Sequence, residues 1–207
     1  MMQGYLITFE GIDGCGKSTQ AHLLHKYLLS TGCSVHLLRE PGGTDIGERI
    51  RSILLDTSHT DMSPYTELFL YLAARAQITA QIIVPALSRG EYVIMDRFLD
   101  STTAYQGYAR DLGVDEINRL NLIATGGIVP HITFVIDCDP VTALSRVKGA
   151  PDRLESEGLE FMMKVRDGFL GLCESENRLI HRIDGNRRIE SIEHDIRIQL
   201  RLLGIIS

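Results

Sequence analysis

Basic residues are not in excess in this 207-residue chain: 21 Lys and Arg stand against 27 Asp and Glu, a formal charge of −6. That sign excludes a protein that grips nucleic acid through a broad basic surface, so any anionic ligand must be held locally. Cysteine is scarce. Cys15, Cys33, Cys138 and Cys173 form no C-x-x-C pair and have no histidine at zinc-ligand spacing, so they read as reduced thiols of a cytoplasmic protein. No uninterrupted apolar run reaches the roughly 18 residues that cross a bilayer. The opening MMQGYLITFEG lacks the basic start of a signal peptide, and its apolar run breaks at Glu10, so no membrane association is expected. Repeats, low-complexity tracts and linkers are missing. So are an N-K-x-D string that would read guanine and a G-x-S-x-G elbow around a nucleophilic serine. What remains is an ordinary globular balance, 44% hydrophobic and 23% charged, which excludes a disordered tail, a fibre and a coiled coil.

Five apolar segments alternate with amphipathic stretches of ten or more residues. They are YLITF (5–9), SVHLL (34–38), EYVIMD (91–96), ITFVID (132–137) and LIHRID (179–184). Most lack strict period-two alternation, as strands buried on both faces do, and the intervening stretches suit right-handed crossovers. The expectation is an α/β chain with a parallel five-stranded sheet and helices on both faces. Ligands in such sheets sit beyond the carboxyl ends of the strands. Four segments occupy those places: 10–18, 39–43, 96–107 and 137–140.

The first of them contains Gly11-Ile12-Asp13-Gly14-Cys15-Gly16-Lys17-Ser18, a complete G-x-x-x-x-G-K-[ST] between a strand and a helix. Glycines allow successive N–H groups to turn inward around a polyphosphate, and the helix N-terminus adds its partial positive charge. Lys17 is then expected on the β- and γ-phosphates and Ser18 on Mg²⁺, with a glycine-rich structural turn as the bland alternative. Two readings of Cys15 stand open, a redox-sensitive thiol near a helix N-terminus and a tolerated small residue. The third strand ends in Asp96-Arg97, where Asp96 suits Mg²⁺ and Arg97 a phosphate, or where the pair caps a helix. Arg39-Glu40-Pro41-Gly42-Gly43-Thr44 follows the second strand, with Pro41 stiffening the turn.

Taken in order, FEGIDGCGKST (9–19), REPGGT (39–44), ELFLYLAARAQ (67–77), DRFLDSTTAYQG (96–107) and DRLESEGLEF (152–161) make the chain resemble the thymidylate kinase family over most of its length. The resemblance implies a three-layer P-loop NTPase fold, one domain over 1–207 with a short lid near 145–157, and transfer of phosphate from ATP to dTMP with Mg²⁺. It also implies a homodimer, with ATP held by residues 11–18 and Thr19. Glu67, Tyr71 and Arg75 are four apart and share one helix face. By resemblance Tyr71 stacks on thymine where Phe is usual, and Arg75 hydrogen-bonds the base O4. Thr102 and Gln106 meet the base edge, and Tyr105 crowds the sugar C2′. Asp13 lies near the acceptor's 3′-hydroxyl and phosphate. Glu40, Pro41, Arg51 and Arg97 surround the acceptor phosphate, with Glu40 acting through Mg²⁺ or water. Some relatives carry an arginine in the P-loop and others place basic residues in the lid. Gly14 in the loop, with Arg146, Lys148 and Arg153 in SRVKGAPDRLE, resembles the second arrangement, Arg153 foremost. Another nucleotide kinase of the same fold, and a nucleotide-driven switch or assembly ATPase, are the rival readings.

Overall fold

The five apolar segments become five parallel strands: β1 Tyr5–Glu10, β2 Val35–Arg39, β3 Tyr92–Asp96, β4 Ile132–Asp137 and β5 Ile180–Asp184. The structure is a computed structural model that describes residues 4–147, 149–174 and 178–206. Spatial order is β2-β3-β1-β4-β5. β1 is therefore central, and every residue of β4 is buried, which is why neither strand alternates in polarity. In register, Phe9 lies beside Asp96, and Arg39 lies beside Asp96 from the other side. The ends of β1, β2 and β3 thus converge on one edge of the sheet.

Neighbouring residues of a strand point to opposite faces. Leu6, Val93 and Met95 pack with Ile78, Ile83, Ala86 and Phe98. Ile7 and Ile94 belong to the larger core with Leu24 and Leu28 of helix α1 (Lys17–Ser30) and Ile192, Ile196 and Leu200 of α9 (Ile189–Leu202). Helices cover both faces, the three-layer arrangement expected.

Local chemistry sets the helix starts near the site. Thr44 caps α2 (Asp45–Leu55) by accepting the Gly47 N–H, and Ser63 caps α3 (Pro64–Ile78) by accepting the Thr66 N–H, with Pro64 in the first turn. A π-helical turn, Thr79–Ile83, carries α3 on into α4 (Val84–Ser88), so residues 64–88 form one helical run. Contrary to the sequence expectation, this run is long and apolar enough to span a bilayer, because Pro85 falls in a first turn and does not break it. Its Glu67 and Arg75 are bound to other elements of the fold, as in a core helix. A second π-helical segment, Thr103–Ala109, follows the short α5 (Leu99–Thr102), and α6 (Val114–Thr125) packs beside it. After β4 come α7 (Pro140–Arg146), a single 3₁₀ turn at Glu155–Glu157 and α8 (Leu159–Cys173).

Candidate active site

The loop after β1 is shaped by backbone positions that only glycine fills. Gly11 has φ +133° and Gly14 φ +79°, and a Cβ would lie 2.5 Å from the Ile136 carbonyl oxygen at Gly11 and 2.0 Å from that of Ala143 at Gly14. An arginine at residue 14 has no room here.

Lys17 and Arg97 share one carboxylate. Lys17 Nζ donates to Asp13 Oδ1 at 3.0 Å and to the Ile12 carbonyl at 3.4 Å, while Arg97 Nη2 donates to the same Oδ1 at 2.8 Å. The Tyr105 hydroxyl accepts from Arg97 Nη2 at 3.2 Å and sits 3.5 Å from Asp13 Oδ2, and the guanidinium lies over the Tyr105 ring, 5.1 Å from its centroid. Burial alone would raise the Asp13 pKa, but the charges and hydrogen bonds of Arg97 and Lys17 hold it well below the ordinary carboxylate range.

Two clefts meet at this carboxylate. One lies beside residues 14–20 of the loop and helix and is also lined by Arg146, Gly185, Arg187 and Arg188. The other is smaller, and its lining includes Asp13, Arg51, Tyr71, Arg97, Tyr105 and Gln106. Lys17 belongs to the first, Asp13 to the second, and their side chains touch.

Glu40, Pro41, Arg75 and Thr102 also line the second cleft, so every expected acceptor residue is brought to it. Cys15, Gly16, Ser18 and Thr19 line the first, whereas Gly11 and Ile12 line a separate small cavity beneath the loop. Arg51 donates to the Pro41 carbonyl at 3.0 Å.

Arg75, Glu40, Arg153 and Cys15 have surroundings that the sequence alone does not show. Arg75 is fully buried and spends all five N–H groups on protein: Nε and Nη2 on Glu40 Oε2 (2.9 and 2.7 Å), Nη1 on Thr102 (2.8 Å) and Asn121 (2.6 Å), and Nη2 on the Phe98 carbonyl (2.9 Å). It lines the cleft and, through these bonds, braces its wall. Glu40 commits Oε2 to that pair, and its other oxygen, Oε1, is buried without a protein partner among the described residues. Arg153 does not reach the P-loop. Its Nη1 pairs with Glu67 Oε2 at 2.6 Å and its Nε donates to the Leu54 carbonyl at 2.8 Å, which anchors residues 152–154 behind the second cleft. Cys15 is 1% exposed, and burial pushes its thiol pKa up, so the redox-sensitive reading falls. Of the remaining basic candidates, Arg146 lines the first cleft and donates to the Gly185 carbonyl at 3.3 Å, and Lys148 lies outside the described residues.

Glu10 was visible in the sequence only as the end of a strand. It is wholly buried, accepts the Phe98 N–H at 2.7 Å and hydrogen-bonds Ser101 Oγ at 2.5 Å. These bonds flank Arg97, whose φ of +70° is left-handed and costs a residue with a Cβ of order 1 kcal/mol or more. Arg97 Nη1 in turn donates to Ser101 Oγ at 3.0 Å. Burial, and then the neighbouring Asp100, push the Glu10 pKa from 4.5 to about 8. Between those values the unfolded chain releases a proton that the folded chain keeps, so Glu10 lowers stability as pH rises from 4.5 to 8. Urea denaturation at pH 5 and pH 8 should show a smaller loss for Glu10→Gln than for the parent chain; equal losses would contradict the assignment.

Asp96 leaves a buried carboxylate oxygen, Oδ1, without a protein partner, and the Ser18 hydroxyl is exposed at the start of α1. Each is an oxygen donor of the kind a hard cation takes.

The thymidylate kinase family model matches residues 9–196 of this chain. The thymidylate kinase of Thermoanaerobacter sp. (strain X514) is 46% identical over 196 residues, 94% of this chain and 96% of that protein. That of Geobacter sp. (strain M21) is 43% identical over 213 residues, 97% of this chain and 95% of that protein. The crystal structure of the thymidylate kinase from Ehrlichia chaffeensis superposes with a TM-score of 0.78 at 34% identity, covering 96% of this chain and 99% of that one. A family model matched along nearly the whole chain, and relatives as long as the chain itself, agree with a phosphate-binding loop that opens between two clefts: the chain belongs to the thymidylate kinase family.

Proposed function

We propose that this chain transfers the terminal phosphate of ATP to dTMP, giving dTDP. The observation that carries the reading is the meeting of two clefts at the Asp13–Lys17 contact, one walled by a polyphosphate loop and the other by arginines and tyrosines. ATP occupies the larger cleft, its phosphates on the N–H groups of residues 14–19 and on Lys17. The dTMP phosphate lies between Arg51 and Arg97, whose guanidinium forks suit a dianion, and the base lies against Tyr71. Tyr105, packed edge-on against Phe161 and Phe169 and held by Arg97 and Asp13, is too rigid to make way for a ribose 2′-hydroxyl.

The acceptor phosphate is already an ionised nucleophile, so the chain needs no strong base and acts by alignment and charge neutralisation. Lys17 and Arg97 cover charge on the transferring group, and Asp13 sets the distance between them. Ser18 and Asp96 would hold Mg²⁺, which supplies charge neutralisation across the donor phosphates when bound. Segment 145–157 serves as a lid on a single domain, with Arg146 on the donor side and residues 152–154 anchored by Arg153. A homodimer forms through the exposed apolar residues Ile46 and Ile53 of α2 and Tyr65 and Phe69 of α3, and the enzyme works in the cytoplasm. ATP consumption with dTMP, dUMP, dCMP, dGMP, AMP and no acceptor tests the function. Fastest turnover with dTMP is expected. Comparable turnover with water alone, or preference for AMP or dCMP, refutes it.

A further inference from the structure

The peptide groups on either side of the Arg97 Cα are both pinned to β1. The Arg97 N–H donates to the Phe9 carbonyl at 3.0 Å, and the Phe98 N–H donates to Glu10 Oε1 at 2.7 Å. Held from both sides, the residue keeps its φ of +70°, a conformation that persists only where the surroundings over-determine it. The same carboxylate also reaches the side chain. Glu10 Oε2 takes the hydroxyl hydrogen of Ser101 at 2.5 Å, which leaves the lone pairs of Ser101 Oγ to Arg97 Nη1, 3.0 Å away. One arm of the guanidinium is thus set by Glu10 through Ser101, and the other by Asp13 and Tyr105.

Glu10 lines neither cleft. Nor does the sheet need a carboxylate there, since an apolar side chain would avoid the desolvation that burial imposes. Asp100, wholly buried nearby, adds repulsion. That neighbour is already paired: both its oxygens receive Arg178, and Oδ2 also receives the Thr133 hydroxyl at 3.1 Å. Arg97 is the cation that bears on Glu10, and the hydrogen bonds of Glu10 end on Phe98 and Ser101, each of which holds Arg97.

We propose that Glu10 is a positioning residue for phosphate transfer: it fixes the backbone and the side chain of Arg97 together, so that the guanidinium stands ready at the acceptor phosphate before the nucleotide arrives. The proposal rests on the reading of the smaller cleft as the monophosphate acceptor site.

The test is a double-mutant cycle with Arg97→Met, read as kcat/KM for dTMP beside KM for ATP. Glu10→Ala should lower kcat/KM for dTMP by about 10²-fold, the scale of a misplacement near 1 Å, while KM for ATP stays within about twofold. In the Arg97→Met background the same substitution should cost less than about threefold, because no guanidinium is left to position. Glu10→Gln keeps an acceptor for the Phe98 N–H and a polar contact for Ser101, so it should recover most of the activity lost in Glu10→Ala. Ser101→Ala cuts the side-chain arm alone and leaves Glu10 in place. It should cost about tenfold with the same dependence on Arg97, which keeps the test decisive if Glu10→Ala fails to fold. Equal losses with and without Arg97, a parent-like kcat/KM in folded Glu10→Ala or in Ser101→Ala, a Glu10→Gln no more active than Glu10→Ala, or a KM for ATP that rises as far as that for dTMP overturns the proposal alone. A parent chain that leaves dTMP unphosphorylated removes the acceptor reading together with it.

Discussion

Lys17→Ala should lower kcat for phosphate transfer to dTMP by about 10³-fold while leaving the chain folded. Removing one preorganised donor from a developing negative charge costs on the order of 10²–10³ in rate, and Lys17 is also one of two cations at the junction of the two clefts. Its removal does more than delete a charge. Asp13 would keep Arg97 as its one cationic partner among the described residues, so the carboxylate that separates the two arms of the site would turn toward the acceptor side. The measurement is steady-state turnover beside thermal unfolding. A loss below tenfold, in a variant as stable as the parent, would show that Lys17 is not on the reacting phosphate. KM for dTMP should change less than kcat, because Lys17 does not line the acceptor cleft.

The second large effect is on stability. Glu40→Ala removes the only carboxylate on Arg75 among the described residues; that guanidinium is 1% exposed, and its charge is left buried with neutral partners. Breaking a buried pair from one side costs about 3–5 kcal/mol, a large part of a domain's net stability. Replacing both members by apolar residues is far milder, so Glu40→Ala/Arg75→Met should be more stable than Glu40→Ala alone. Urea titration of the parent, the single variant and the double variant measures both. A single variant within 1 kcal/mol of the parent would mean that Arg75 finds water or another partner, and that the cleft is less closed than its contacts imply.

Much of this architecture is legible in order along the chain, for a physical reason. Strands buried on both faces must be apolar runs, so β1, β3 and β4 stand within a residue of their expected limits, as do the edge strands β2 and β5. The phosphate loop is contiguous, and its function depends on backbone geometry that glycines announce. Arg153 and Arg75 show where such reading stops. Each carries a charge whose destination is set by a partner far along the chain: Glu67 for Arg153, and Glu40, Thr102 and Asn121 for Arg75. Nothing local to SRVKGAPDRLE distinguishes an arginine that swings over a phosphate from one that bolts a loop to a helix. Glu67 itself could be placed on the face of Tyr71 and Arg75 from spacing alone, yet the three groups that converge on it come from segments 106–110 and 153. Glu10 has the clearest missed signal: a carboxylate closing a strand that is otherwise uncharged.

The contact of one carboxylate with both Lys17 and Arg97 bears on how such a site changes over generations. A donor half and an acceptor half on separate scaffolds can drift apart, each tuned to its own ligand. Here Asp13 Oδ1 lies 3.0 Å from the cation of one half and 2.8 Å from the cation of the other. No replacement at residue 13 can adjust one half and spare its neighbour. The two halves are inherited as a unit, and new acceptor preferences must arise at the distal, base-facing end of the cleft, where variation leaves the junction untouched.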